Sequence, residues 1–528
     1  MAVPDGKYAA INRFMTVAVI PLLFWNYTRI TSDSGQVIFF LAILSLAVAS
    51  SYLSGRKERS DGTRSVLPLL WTGVVVLYTA MIVWNRCFRR EILDAAYRGD
   101  IFRQVFWNFW APLYGHPQIP HLPGIILIGL LAACLYGALK FYAVRSVKAD
   151  PVRLLAFFAA FNLILIVAFA LSRNESRLFQ NIYDYKTFGT SADMLLFHTL
   201  HDVWEKWNAL MPVLHGRNPH YPPGNLFLLK VEQVYNLPGL FKTLVILATL
   251  SCVPLLYFLG RTLGLDRTTA MLAVALFVTS ASPTIFPTTS PAPVTMFFSL
   301  SAYLGFFTAL RNNSVGGALA CGIALALYSL MSFSVFIMGL SIFLIGMAYF
   351  CMAGELRFNT ARAVLLAGLT FLASLLLVYE LTGFSLWSCL VRSVHQNSHL
   401  MTAHPFDTIS RYLLRSTGNL LAFAVITGIV PATLAAAGWL GLARAPRDLG
   451  IFIGASLATL LAAGFSGLFF LETERIWVFF TPFLALSAGW GIRCRRGDGI
   501  RPETAGLLVM ISFLTTSVQE LCFQHYWN

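Results

Sequence analysis

The residues best suited to chemistry in this 528-residue chain crowd into one stretch between Asn181 and Asn225. It opens Asn181-Ile-Tyr-Asp-Tyr-Lys-Thr-Phe-Gly and passes through Phe197-His-Thr-Leu-His-Asp-Val-Trp-Glu-Lys-Trp207. It ends Leu214-His-Gly-Arg-Asn-Pro-His-Tyr-Pro-Pro-Gly-Asn225. Asp184, Asp193 and Asp202 supply carboxylates, the usual groups for taking a proton from a weak nucleophile. Arg217 and Lys186 are anion ligands, the arginine through bidentate, charge-assisted hydrogen bonds. His215, His220 and Tyr221 can orient hydroxyls or an anion. A second, shorter cluster, Leu471-Glu-Thr-Glu-Arg475, adds Glu472 and Arg475.

Each of these residues has a plainer competing role. Asp184 could cap the helix that follows it, and Asp193, after Thr190-Ser191, fits a helix start equally well. His198 and His201 lie at i, i+3 beside Asp202, a trio that could hold a divalent metal ion but is more often a solvated helix face. Arg475 could pair with Glu474 or snorkel at an interface. Arg392, His395, His399 and His404 could form the acceptor side or a mobile cover, but an ordinary wet loop is the plainer account.

The elements that must position these groups follow from local pattern. Leu196, Leu200, Val203 and Trp207 recur at spacings of three and four, which predicts an amphipathic helix at the membrane surface with its tryptophans at headgroup depth. His220-Tyr-Pro-Pro-Gly224 cannot be helical, because two prolines fix φ and remove donors. A rigid turn therefore delivers His220 and Tyr221 to the mouth of the next helix.

Composition says what surrounds that stretch. Hydrophobic residues are 57% of the chain and charged residues 12%, against about 25% charged in a soluble domain. Mean hydropathy is +0.68. Too little charge is present to coat a water-facing surface, so an all-α polytopic membrane protein is expected. Windows of about 20 apolar residues predict helices near 12–30, 36–54, 66–84, 124–143, 152–172 and 238–260. Further ones fall near 268–285, 291–309, 314–331, 333–351, 362–381, 418–441, 449–470, 476–491 and 505–522. The total is roughly 13–15 spans, divided as follows: N-terminal helices with one loop (1–172), the polar loop (173–237), and a helical bundle with a further loop near 382–417 (238–528).

The net charge of +14 comes from 38 Lys+Arg against 24 Asp+Glu. The basic residues collect in short connections such as Arg56 to Arg64, Lys140 to Arg153 and Arg493 to Arg501, which the positive-inside rule puts on the cytoplasmic face. No basic, aromatic strip suggests nucleic acid. All ten histidines lie in the connections of the opposite face or the adjoining tail, which is where polar chemistry concentrates. The 8 cysteines are scattered without a CxxC pair, so neither disulfides nor a zinc site is indicated. The N-terminal apolar stretch lacks a cleavage site and is expected to be a retained helix.

From Asp184 to Lys230 the chain resembles the first large extracytoplasmic loop of the GT-C superfamily of membrane glycosyltransferases. There a carboxylate just after a membrane helix precedes surface helices and a His-Pro-Pro-Gly or Tyr-Pro-Pro-Gly turn. The His-Tyr-Pro-Pro-Gly at 220–224 is the most specific match. Arg261 to Ser282-Pro283 is similar to the family's next hairpin, and Glu472 to Trp477 to its late Glu/Arg-aromatic segment. The likeness runs from about Tyr183 to Trp490, and the chain departs from the pattern in having no acidic pair after a first N-terminal helix. A second stretch, Pro112 to Gly124, echoes Pro212 to Gly224, either as a decayed duplication or, the favoured reading, as two convergent ways of entering a membrane, since short Pro/Gly matches arise readily as turn punctuation.

The resemblance implies transfer of a sugar from a polyprenyl-phosphate donor to a lipid, glycan or protein acceptor, by inverting displacement. It implies a multi-pass bacterial inner-membrane location with an extracytoplasmic site among membrane lipids. Asp184 is then the favoured general base, with Asp193 and Asp202 as alternates. Arg475 and Arg217 are favoured for the phosphate, with Lys186 behind them, and His215 and His220 for substrate hydroxyls or phosphate. No nucleotide-binding GxGxxG or GxxxxGK[ST] is present, which fits a donor delivered by the membrane. A transporter, lipid-linked-sugar flippase or binding scaffold is the alternative. A transporter would call for inverted repeats or ionisable residues at mid-membrane, and the sequence displays neither.

Overall fold

The structure is a computed structural model. It describes residues 122–145, 150–173, 193–214, 218, 221–351, 355–401, 408–467, 476–496 and 502–525, with 115–117 and a few helical positions between 70 and 80. Strand β1 (Gly115–Pro117) precedes helices α1 (Leu122–Arg145) and α2 (Pro151–Arg173). The polar loop carries α3 (Leu200–Glu205), α4 (Trp207–Leu210) and α5 (Gly224–Val234). The bundle continues with α6 (Leu240–Thr262), α7 (Arg267–Val278), the single turn α8 (Ser282–Ile285), α9 (Pro293–Asn312), α10 (Val315–Met331), α11 (Val335–Phe350) and α12 (Glu355–Thr382). It closes with α13 (Leu386–Met401), α14 (Ile409–Thr427), α15 (Ile429–Leu440), α16 (Arg447–Phe465), α17 (Thr481–Arg496), α18 (Pro502–Cys522) and β2 (Phe523–His525).

Among the described residues, 7 helices are long and apolar enough to cross a membrane, or 9 if each of two bent pairs is one span. Every expected span from 124–143 onward finds helix at its position, whereas those at 12–30 and 36–54 lie outside the described residues. Two expected straight spans are broken. Over 268–285 the chain bends by 56° between α7 and α8. There the Thr279 and Ser280 hydroxyls donate back to Ala275 O (2.9 Å) and Phe277 O (2.7 Å), and the freed Thr279 carbonyl accepts from Thr516 Oγ1 at 2.8 Å. Over 418–441 the bend is 115°. Gly428 sits at φ 107°, a conformation open to glycine, and Pro431 has no N–H to return to the preceding turn. Hydropathy windows average over such breaks and cannot show them.

Apolar burial drives little helix association inside a bilayer, so close packing must hold the bundle. In α9 and α10, joined through Asn313 in the left-handed region and the capping Ser314, Gly305 and Gly317 face each other. A Cβ on Gly305 would lie 2.8 Å from Gly317 O, and one on Gly317 2.7 Å from Gly305 O. Gly322 meets α12, and Gly438 and Gly491 bring α15 and α17 together in the same way. The opposite face of α12, with Leu369, Leu372 and Leu376 more than half exposed, is the surface left for lipid.

The arginines of the short connections bind helix ends. Arg261 donates to Leu265 O at 2.7 Å, Arg357 to Phe350 O at 3.1 Å, Arg311 to Thr262 O and Arg362 to Asn313 O. Arg311 also pairs with Asp448 at 2.8 Å, and Arg493 with Asp266, the cap of α7. These cations complement the negative ends of helix dipoles. A two-stranded antiparallel ribbon, β1 with β2 (His116 opposite Gln524), adds to the helical bundle a pairing that the apolar pattern does not announce.

Candidate functional site

The polar loop folds onto the bundle rather than lying free on it. Thr199 caps α3 in a reciprocal box: its hydroxyl accepts from Asp202 N at 3.1 Å, and Asp202 Oδ2 accepts from Thr199 N at 3.1 Å. Trp207 is 1% exposed and stacks on Phe197 at 5.9 Å. Trp204 packs on Phe227 (5.1 Å) and Phe384 (5.6 Å). These rings, with Val203, Met211, Leu226, Leu330 and Cys389, form a compact subsidiary core. The expected headgroup tryptophans are therefore drawn inward, Trp207 fully and Trp204 in part, against α5, α10 and α13, whereas Leu196 of the same stripe stays exposed. Burial pushes the Cys389 thiol up to about 12, leaving it an inert filler.

Asp193, Asp202 and Tyr221 are the sequence-selected residues that the structure describes. Asp184, Lys186, His215, Arg217, His220, Glu472 and Arg475 lie outside the described residues. Asp202 is engaged on both oxygens. Lys206 Nζ holds Oδ1 at 3.0 Å, and the backbone N–H groups of His198 (2.9 Å) and Thr199 hold Oδ2. The Lys206 ammonium and these N–H bonds, working against desolvation, lower its pKa to about 2. A carboxylate so stabilised is a helix cap and a poor proton acceptor. His201 instead reaches Glu205, at 3.8 Å, so the His198/His201/Asp202 trio is not gathered around a common point. Among the described residues no group of three His, Cys, Asp or Glu is placed to hold a metal ion.

Asp193 is fully buried and accepts the Asn218 side-chain amide at 2.6 Å. The start of the surface helices is thereby tied to the segment that enters the Pro-Pro-Gly turn. Lys230, 7% exposed, closes the same region by donating to Gln233 Oε1 at 2.8 Å and reaching Met194 O at 3.5 Å. The turn itself docks on the end of α10. Asn225 donates to Met331 O at 3.1 Å, and a Cβ on Gly224 would lie 2.4 Å from Leu330 O. Only glycine permits that backbone approach.

Beside the docked turn lies a small cavity of about 20 Å³, room for about one water. Its walls are Tyr221 and Asn225 from the turn, Pro291, Ala292 and Thr295 from the Pro-rich connection and the start of α9, Met331 and Ser332 from the end of α10, and Ile476. Ile476 directly follows Glu472-Thr-Glu-Arg475 in the chain. Four stretches of the chain, at 221–225, 291–295, 331–332 and 476, thus meet at one end of the α9–α10 hairpin. The arginine clamp of Arg311 is at the other, roughly 24 Å away along α9. Asn218, Asn225, Thr295 and Ser332 carry this geometry and were not singled out by sequence. The one usable signal was the serine pair Ser332-Phe-Ser334 interrupting two apolar runs.

No family model matches the chain, and no curated protein is similar to it in sequence. Among solved structures it is similar to the apo oligosaccharyltransferase of Archaeoglobus fulgidus, at 13% identity and TM-score 0.43, over 71% of this chain and 56% of that one. It is also similar to oligosaccharyltransferase AglB from Archaeoglobus fulgidus in complex with an inhibitory peptide and a dolichol-phosphate, at 13% identity and TM-score 0.42, over 70% and 56%. A third similar structure is apo ArnT from Cupriavidus metallidurans, at 13% identity and TM-score 0.41, over 64% and 59%. The chain spans a little over half the length of these proteins. They are GT-C superfamily membrane glycosyltransferases. At 13% identity no site residue is carried across from them.

Proposed function

We propose that this protein is an integral membrane glycosyltransferase that moves a sugar from a polyprenyl-phosphate donor to a lipid, glycan or protein acceptor on the extracytoplasmic face. The observation that carries this reading is the convergence of the His-Tyr-Pro-Pro-Gly turn, the Pro-rich connection and the residue following Glu472 to Arg475 on one pocket. A scaffold that only spanned lipid would have no need to bring these segments together. The pocket lies at the end of the bundle opposite the basic connections, which corresponds to the extracytoplasmic end under the positive-inside rule.

Roles divide by chemistry. A phosphate leaving group departs once positive charge meets it, which assigns Arg475 and Arg217 to the phosphate with Lys186 in support. The acceptor hydroxyl needs a base, and Asp184 is the carboxylate proposed for it, by inverting displacement. Asp202 is spent as a cap, and Asp193 serves through its bond to Asn218. His215 and His220 orient substrate beside Tyr221, with Glu472 next to Arg475.

The experiment is to supply purified protein with polyprenyl-phosphate sugars and an acceptor extract and to measure release of polyprenyl phosphate. Release that disappears in Asp184→Asn supports transfer. Binding without turnover by the wild type would make the protein a scaffold, and donor-independent flux across vesicles a transporter.

A further inference from the structure

We propose that α13 lies in the headgroup–acyl boundary of the bilayer and docks the polar loop onto lipid, with Trp387, Val391 and Val394 in the acyl region. The inference goes beyond the glycosyltransferase reading and does not depend on it.

The side chains of α13 from Trp387 to His395 sort into three stripes, each at the spacing of three and four that puts residues on one side of a helix. Cys389 and Ser393 are buried and face the protein. Ser388, half-buried, and the exposed Arg392 and His395 form a polar stripe. Trp387, Val391 and Val394, 71%, 49% and 55% exposed, form an apolar stripe that points away from the protein. At about 100° per residue the three stripes stand about 120° apart. A helix between protein and water needs only two faces, one apolar and inward, the other polar and outward. A third face, apolar and outward, calls for a second apolar medium.

The position of α13 says which medium that is. Leu376, Leu377 and Leu381, on the last turns of α12, are all more than half exposed and belong to its lipid surface. Three residues, Gly383 to Ser385, separate α12 from α13. They reach at most about 14 Å, so α13 starts where the lipid surface of α12 ends. Gly383, at φ 72°, makes the turn, and Phe384 is buried in the subsidiary core. Asn208 of α4 then holds the first two turns of α13. Its side-chain amide donates to Ser385 O at 3.1 Å, and its carbonyl accepts from Arg392. The helix thus runs along the surface helices instead of returning through the bundle.

Charge agrees with this placement. Between Glu380 and Asp407 the sequence has Arg392 and three histidines but no carboxylate. That composition suits phosphate headgroups, and a tryptophan on the neighbouring apolar stripe suits the boundary beneath them. The sequence pattern expects such a helix around 196–207, where Trp207 is internal, whereas Trp387 stays exposed on α13.

The test places full-length wild-type protein, one copy per nanodisc, in phosphatidylcholine carrying a photoactivatable diazirine on its acyl chain, and maps the cross-links by mass spectrometry. Leu381 is the positive control. Trp387, Val391 and Val394 are expected to cross-link within about 3-fold of Leu381, and Cys389 and Ser393 at least about 10-fold less. Hydrogen exchange across 386–395 gives a second measurement. Val391→Asp combined with Val394→Asp is expected to speed it roughly 10-fold if lipid holds those side chains, and to leave it unchanged if they meet water. Cross-links at Leu381 without cross-links on the stripe, or unchanged exchange in the double variant, overturn the inference. Stripe residues that lose their lipid cross-links when two copies share a disc assign the face to a partner copy and overturn it as well. None of these measurements involves a sugar donor or an acceptor, so sugar transfer stands or falls by its own assay.

Discussion

Asn218 donates its side-chain amide to the Asp193 carboxylate at 2.6 Å across 25 residues of chain, with both side chains buried. This bond anchors the segment between the surface helices and the Pro-Pro-Gly turn, so its loss should be felt at the pocket. A hydrogen bond to a carboxylate contributes about 1.5–3 kcal/mol. Asn218→Ala is expected to destabilise by that order and to weaken donor binding. Thermal unfolding and carrier titration check it. The double variant with Asp193→Asn should cost less than the sum of the two single changes.

Gly224→Ala should be disproportionately harmful for one methyl group. The added carbon would meet the Leu330 carbonyl at 2.4 Å, a backbone atom with little room to retreat. The expected cost is about 1–3 kcal/mol or more, with loss of transfer activity. The milder Asn225→Ala, which removes only the bond to Met331 O, gives the comparison.

Asp202 makes an acid-sensitive contribution. Its folded pKa, about 2, lies below the ordinary carboxylate value of 3.8, so the folded state favours the ionised form. The stabilisation is complete above about pH 4 and is lost as pH falls from there through about 2. Asp202→Asn should flatten that limb of the stability–pH curve and leave the neutral-pH limb of the transfer profile in place. Midpoint denaturation measured across this range is the check.

Asp448 receives Arg311 at 2.8 Å and Arg447 at 3.2 Å, and its side chain is 6% exposed. Asp448→Ala leaves both guanidinium groups without that partner. Because the arginines are about half exposed, the expected loss is about 1–2 kcal/mol rather than the full cost of breaking a buried pair. Unfolding in detergent should show it, with the Kd for carrier unchanged, since the change is at the far end of α9.

Much of the bundle was legible because spanning a bilayer imposes a length and a composition on each helix, and residues such as Leu240 to Thr262 satisfy both. The breaks at Thr279 and Gly428 were hidden, since each depends on hydroxyl back-bonds or a φ value that a hydropathy window cannot register. The His-Tyr-Pro-Pro-Gly turn stood out by composition, and its partner at Ile476 could be suspected only from the acidic cluster before it. Asp202 shows the reverse failure. An aspartate in a polar loop looks available, but the Thr199-x-x-Asp202 spacing is a capping box, and its oxygens are taken by the helix it starts. Asn218 carries no charge and no motif, and its importance arises only from a contact made over a long separation in the chain.

The glycine-locked hairpin of α9 and α10 contributes Thr295 from one arm and Ser332 from the other to the same cavity. Two helices with backbones in near contact cannot slide or splay independently, so this side of the cavity behaves as a fixed anvil. The turn that carries Tyr221 is tied to the same hairpin through Asn225 and Gly224, so it belongs to the fixed side, and only Ile476 reaches the cavity from a segment without that tie.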